Sequence, residues 1–193
     1  MATEIQGINR SAACETCGEC EGGVVRAAIT DICCVADIVI DQATRCITSI
    51  VLTADGAGGW ADYIQDSDDT SFLSQIGEKI NFRTKRYNVT AFLKFSCINK
   101  EIENEVCRLD EICTPIAALE KSTGEVKLIG VDIVKNENGD WTWKRSKTEL
   151  TILNSLQTGT GAEECRYEMN LEAVHRKPAA TLTGIGIEDL LAA

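Results

Sequence analysis

Residues 87–131 constrain this chain most. An apolar-rich run at 87–98 is long enough for a strand. An amphipathic segment follows at 99–113, then Pro115, then two strand-like runs joined at Ser122-Thr123-Gly124. Asn99 suits a helix N-cap, and Glu101 and Glu103 suit the positive end of the helix dipole. Ile102, Val106, Leu109 and Cys113 recur at spacings of four, three and four, which lays one apolar stripe along a packing helix. Pro115 stops that helix. The runs 116–120 and 125–131 read as a hairpin, with Gly124 supplying the positive φ of its turn. Strand, helix and hairpin form a rigid unit with two faces to bury and no obvious chemistry.

The strand signal recurs along the chain. Runs at 24–30, 36–40 and 46–54 are dominated by β-branched residues, with a break at 31–35. The third run is apolar on both faces at its centre and is expected to be covered on both sides. Two long runs, 72–82 and 87–98, bend near Thr84-Lys85. They exceed the usual strand of about five or six residues, and are expected to reach past the domain and pair with a neighbour. A turn at 136–140 precedes Trp141 and Trp143, whose spacing predicts cross-strand packing rather than base stacking. The run 147–156 alternates, and Cys165, Tyr167, Met169, Leu171 and Ala173 share one face of a final long strand. A short helical or strand-adding end is expected at 187–191.

Strands at intervals of roughly ten to fifteen residues, with Gly-rich turns, predict a mainly β fold. The expected architecture is a β-sandwich or barrel with one flanking α-helix and extended terminal arms. The absence of βαβ alternation argues against a parallel doubly wound sheet. The expected division is an N-terminal arm at 1–23, a sandwich domain at 24–180 and a C-terminal tail at 181–193.

Charge narrows the function. With 19 Lys and Arg against 30 Asp and Glu, the net charge is −11. Phosphate binding needs clustered cations. The clusters Arg83-Thr84-Lys85-Arg86 and Trp143-Lys144-Arg145-Ser146-Lys147 are short and read as the solvated sides of strands or turns. No apolar run reaches the roughly 18 residues of a membrane span, and the first residues lack a basic-then-apolar leader pattern. The expectation is a reducing cytoplasm and no membrane contact. Of ten cysteines, Cys33, Cys34, Cys46, Cys97, Cys107 and Cys113 lie in apolar surroundings and are expected to be small buried hydrophobes.

Few residues suggest chemistry. Cys14, Cys17 and Cys20 form a run of thiols spaced by three, but tetrahedral zinc needs a fourth ligand, and the single histidine, His175, is distant in sequence. Zinc, disulfides formed after assembly and free thiols remain open there. Asp66, Asp68 and Asp69 make an acidic tip after Trp60 and Tyr63. It lacks the alternation and closing Glu of a calcium loop, and reads as a solvated loop or as an interface or lumen loop. His175 has no visible catalytic partner and reads as a surface residue. No spacing selects a pair of acids for acid–base work. Neither an enzyme nor a cofactor is expected.

The order of elements from about residue 72 to 183 resembles the tail tube proteins of long-tailed bacteriophages and related injection systems. The resemblance rests on the long strand pair and the lone helix at 99–112. It also rests on Ala117-Ala118-Leu119-Glu120-Lys121-Ser122-Thr123-Gly124-Glu125-Val126-Lys127-Leu128-Ile129-Gly130, and on the returning strands at 148–156 and 166–174. It implies a virion structural protein. Copies would form stacked, hexameric rings whose strands join into an inner barrel, an acidic conduit for DNA ejection. The implied partners are other copies, other tail proteins and genomic DNA passing without specific binding. The implied place is the viral tail, assembled in the host bacterial cytoplasm. Cysteine richness departs from the family pattern. The alternatives are another virion part (tail terminator, connector or capsid-associated protein) and a zinc or redox module on Cys14, Cys17 and Cys20.

Overall fold

A computed structural model describes residues 23–53, 59–65, 72–79, 85–95, 109, 112, 114–155 and 166–192. These residues form a mainly β protein of antiparallel sheets, without a closed barrel among them. A central sheet has the strand order β13-β8-β7-β1-β4: β1 is Val24–Asp31, β4 Ala61–Ile64, β7 Pro115–Lys121, β8 Val126–Ile129 and β13 Ala180–Thr181. A second sheet has the order β11-β12-β6-β5: β5 is Phe72–Lys79, β6 Lys85–Phe95, β11 Lys147–Ser155 and β12 Arg166–His175. Two ribbons complete the fold, β2 (Val35–Ile40) with β3 (Ile47–Leu52), and β9 (Val131–Lys135) with β10 (Trp141–Arg145).

Period-two alternation in the central sheet feeds two cores, because successive side chains point to opposite faces. Ala27, Ile29, Ala117, Leu119 and Ile129 face the second sheet and pack with Val89, Ala91, Leu93, Met169, Leu171 and Ala173. This is the sandwich. Ala28, Ile116, Ala118 and Leu128 face the other way, toward Ile38, Ile47 and Ile50 of β2 and β3, Val131 and Ile133 of β9, and Ile187 and Leu190. Those last two lie on α1 (Ile187–Leu191), the short helix expected near the C-terminus. The register sets Ala28 opposite Ala118 and Ile29 opposite Ala117. Small residues at the middle of a sheet covered on both faces let its neighbours approach closely.

The Ser122-Thr123-Gly124 hairpin forms as expected, with Gly124 at φ +78° and β7 paired to β8. β5 and β6 form the expected antiparallel pair, Lys79 opposite Lys85. Residues 181–192 lie against the core: β13 pairs with β8, and Leu182, Ile187 and Leu190 are buried. The predicted helix at 99–113 falls outside the described residues except for Leu109 and Ile112. Leu109 is buried in the sandwich core; Ile102 and Val106 lie outside.

Three expectations are corrected. The β3 strand is covered on one face only: Ile47 and Ile50 are buried, while Thr48 and Val51 are exposed. It belongs to a two-stranded ribbon, and among the described residues nothing packs on its outer side. Cys33 is exposed and Cys34 and Cys46 are half-buried. Cys33 and Cys34 sit in a 3-10 turn at Ile32–Cys34 whose buried residue is Ile32. Third, His175 is 1 % exposed. It continues the inward parity of Met169, Leu171 and Ala173, so it ends up inside.

Candidate functional site

The four-stranded sheet is the candidate site, because its two margins are the longest strand edges left unpaired among the described residues. Its inner face is closed by the sandwich core. Its outer face mixes polar and charged residues with the exposed apolar Ile76 and Val174. One row across it reads Glu149 opposite Glu172, Glu172 opposite Thr90 and Thr90 opposite Ser74. The next reads Lys147, Val174, Asn88 and Ile76. Glu149, Glu172, Lys147 and Asn88 are exposed, and Ile76 is 60 % exposed. Two carboxylates directly opposite one another repel, so this pair sits at some cost to the lone chain, with the exposed cations Lys147 and Arg86 on the same face. Asn170 Nδ2 donates to Glu172 Oε1 at 2.9 Å, which partly compensates.

The margins are the outer edges of β5, eight residues, and β11, nine residues. Among the described residues neither edge pairs with another strand. The Gln75 side chain of β5 does accept from the Ala179 N–H at 3.0 Å. A long unpaired edge is a template for another strand unless it is shortened, charged, bulged or covered.

The sheet is tied to the rest of the fold at a corner. The chain runs from β8 into β9 at Gly130, and from β10 into β11 at Ser146, so one ribbon feeds both sheets. The Ser146 N–H donates to the Gly130 carbonyl at 3.1 Å. Gly130 has φ +98°, and a Cβ there would sit 2.7 Å from the Pro115 carbonyl oxygen. The Gly130 N–H donates to His175 Nε2 at 3.3 Å. A nitrogen that accepts carries no proton, so this contact requires neutral imidazole with hydrogen on Nδ1. Burial holds the imidazole below its ordinary range; Asp132 pulls the other way, and Arg45 adds to the depression. Asp132, itself buried, accepts from the Arg176 N–H at 2.8 Å.

The opposite side of the central sheet is closed by charge. Arg26 on β1 makes a two-point contact with Asp62 of β4, both at 2.7 Å, and pairs with Glu188 of α1. Hydrogen bonds to Asp62 and Glu188 raise its pKa further above the ordinary arginine range. The short edge strand and the C-terminal helix are thus pinned to β1.

Of the residues read from sequence as an interface or lumen loop, Trp60 and Tyr63 are core residues, each 8 % exposed, in different cores. Strand β4 is short and half of it points inward. Asp66, Asp68 and Asp69 lie outside the described residues, as do Cys14, Cys17 and Cys20. Among the described residues, no group of three or more His, Cys, Asp or Glu could hold a metal ion. No described helix is long and apolar enough to cross a membrane. Trp143 packs on the core from opposite Ile133, the cross-strand role expected of it. Of the two long runs expected to pair with a neighbour, β5 does lie at a margin, but β6 is paired on both sides within the chain, and the open edge of β11 was not assigned, because strand order is not written in any local pattern. No protein-family model matches this chain, and no curated protein matches it either.

Proposed function

We propose that this chain is a virion structural subunit, a tail tube protein, whose copies join edge to edge through the four-stranded sheet. The observation that carries this reading is that β5 and β11, two long strands on opposite margins of one sheet, have outer edges that no strand among the described residues pairs. When the β5 edge of one copy meets the β11 edge of the next, the contact is head-to-tail. Such contacts close into a ring when the rotation between copies closes. The outer face, with Glu149 and Glu172 beside Lys147 and Arg86, then lines the bore, and the chain's net charge of −11 sets its sign. A bore of that sign repels nucleic-acid phosphates at short range, and salt screens the effect beyond about 10 Å. Ring copy number, stacking and passage of DNA follow from the family resemblance. The corner at Gly130, Ser146 and His175 holds the sheet at a fixed angle to the central one, which repeated assembly needs.

Negative-stain electron microscopy of the purified chain tests this reading. Tubes or stacked rings are the expected result. Discrete rings that never stack would favour a connector or terminator over a tube. Compact single particles at high concentration would remove the proposal.

A further inference from the structure

The chain is strongly acidic, yet three of its cations converge on one indole. Lys177 Nζ lies 4.4 Å from the centroid of the Trp141 ring, Lys135 Nζ 4.9 Å and the Arg45 guanidinium 5.9 Å. They come from three separate segments. Lys135 sits opposite Trp141 in the β9–β10 ribbon. Lys177 follows the end of β12, and Arg45 stands in the turn between β2 and β3.

This arrangement is held in place. Gln42 grips the Trp141 backbone from both sides, accepting from its N–H at 2.5 Å and donating to its carbonyl at 2.9 Å. Arg45 adopts φ +65°, a left-handed conformation that costs a branched or long residue energy. Its Nη2 donates to the Pro178 carbonyl at 2.8 Å, and its buried Nε has no partner. The ion pairs among described residues join Arg26, Lys121 and Lys127 to carboxylates; none involves Arg45, Lys135 or Lys177. Glu137 and Asp140 in the adjoining turn do not pair with them. Asp41 spends its carboxylate on the Ala43 N–H and the Thr44 hydroxyl.

We propose that the surface formed by Arg45, Lys135, Lys177 and Trp141 is a docking site for a short acidic segment of a partner polypeptide. Mutual repulsion of three unpaired cations is relieved by carboxylates placed among them. The indole holds the cations through its ring quadrupole, so less side-chain freedom is lost on binding. A nucleic acid fits less well. The cations occupy the ring on which a base would stack, and a long polyanion would also meet the acidic remainder of the chain. A short segment touches only the patch. This inference does not depend on the tube reading.

The test is fluorescence anisotropy of a labelled, aspartate-rich decapeptide with the full chain. Three forms are compared: wild type, Lys135→Ala/Lys177→Ala and Lys135→Arg/Lys177→Arg. Thermal unfolding confirms that each form is folded. The expected result is binding to wild type that weakens as salt rises. The alanine pair should bind about tenfold or more weakly, and the arginine pair should stay near wild type. The proposal is overturned if wild type does not bind, if the alanine pair binds like wild type, or if the arginine pair loses as much as the alanine pair. It is also overturned if a single-stranded oligonucleotide of equal formal charge displaces the peptide more readily than unlabelled peptide does.

Discussion

The two main sheets of this protein end differently. The central sheet stops at β4, four residues, and β13, two residues. Its β4 margin is fastened by Arg26 to Asp62 and Glu188, and both its faces are buried. The four-stranded sheet stops at strands of eight and nine residues, with one face solvated. Short, fastened edges belong to a sheet that is finished within one chain. Long edges that no strand among the described residues pairs are open to extension by another strand. On the proposed reading, the first sheet holds the fold together and the second presents it to other copies.

If that division is right, perturbing what joins or fills the central sheet should cost stability, and perturbing the second sheet's outer face should cost assembly. The largest effect is expected at Gly130, where both sheets share a corner. Gly130→Ala combines a left-handed φ with a Cβ driven into the Pro115 carbonyl. It should destabilise the chain by about 3 kcal/mol or more in urea unfolding. Ala118→Leu overfills the central sheet at a position 0 % exposed, and should cost about 1–3 kcal/mol by the same measurement.

His175→Gln sharpens the comparison through pH. Well above pH ~6.5 the imidazole is neutral in both folded and unfolded chains, and stability does not depend on it. As pH falls through that value the unfolded chain takes up a proton first, because burial keeps the folded imidazole neutral. The unfolded state then binds more protons, so stability drops with pH until the depressed folded pKa is reached. His175 is the only histidine, so the glutamine variant should flatten the stability profile between about pH 7 and 5. It should also cost about 1 kcal/mol at neutral pH through a poorer bond to Gly130. The smallest effect on the single chain is expected for Ile76→Thr, on the solvated face. Its unfolding midpoint in dilute solution should shift by no more than about 0.5 kcal/mol in free-energy terms.

Much of the β architecture was legible. β-branched runs placed β1 and β2, an apolar-rich run placed β6 and period-two alternation placed β11 and β12 close to where they lie, and Gly124 and the 136–140 turn marked two hairpins. His175 shows how a legible signal was passed over. It follows Met169, Leu171 and Ala173 at the same spacing, and a polar residue on a buried parity is still buried when it has a partner such as the Gly130 N–H. Trp60 and Tyr63 were harder, because a four-residue strand carries too little alternation to separate core from surface. Cys33 and Cys34 were misjudged because apolar neighbours in sequence do not bury a residue held in a turn. The cluster on Trp141 was out of reach, since Arg45, Lys135 and Lys177 meet only through the folded order of three segments. The length of the runs 72–82 and 87–98 pointed to open edges, but that β5 and β11 rather than β6 stand at the margins was out of reach for the same reason: pairing order is a tertiary fact.

The central claim is that the outer edges of β5 and β11 are completed by identical neighbours. Amide hydrogen exchange followed strand by strand across a range of protein concentration tests it most directly. The account predicts that protection in β5 and β11 rises with concentration, while β6 and β12, already paired on both sides, stay unchanged. Exchange in β5 and β11 that is independent of concentration would contradict it.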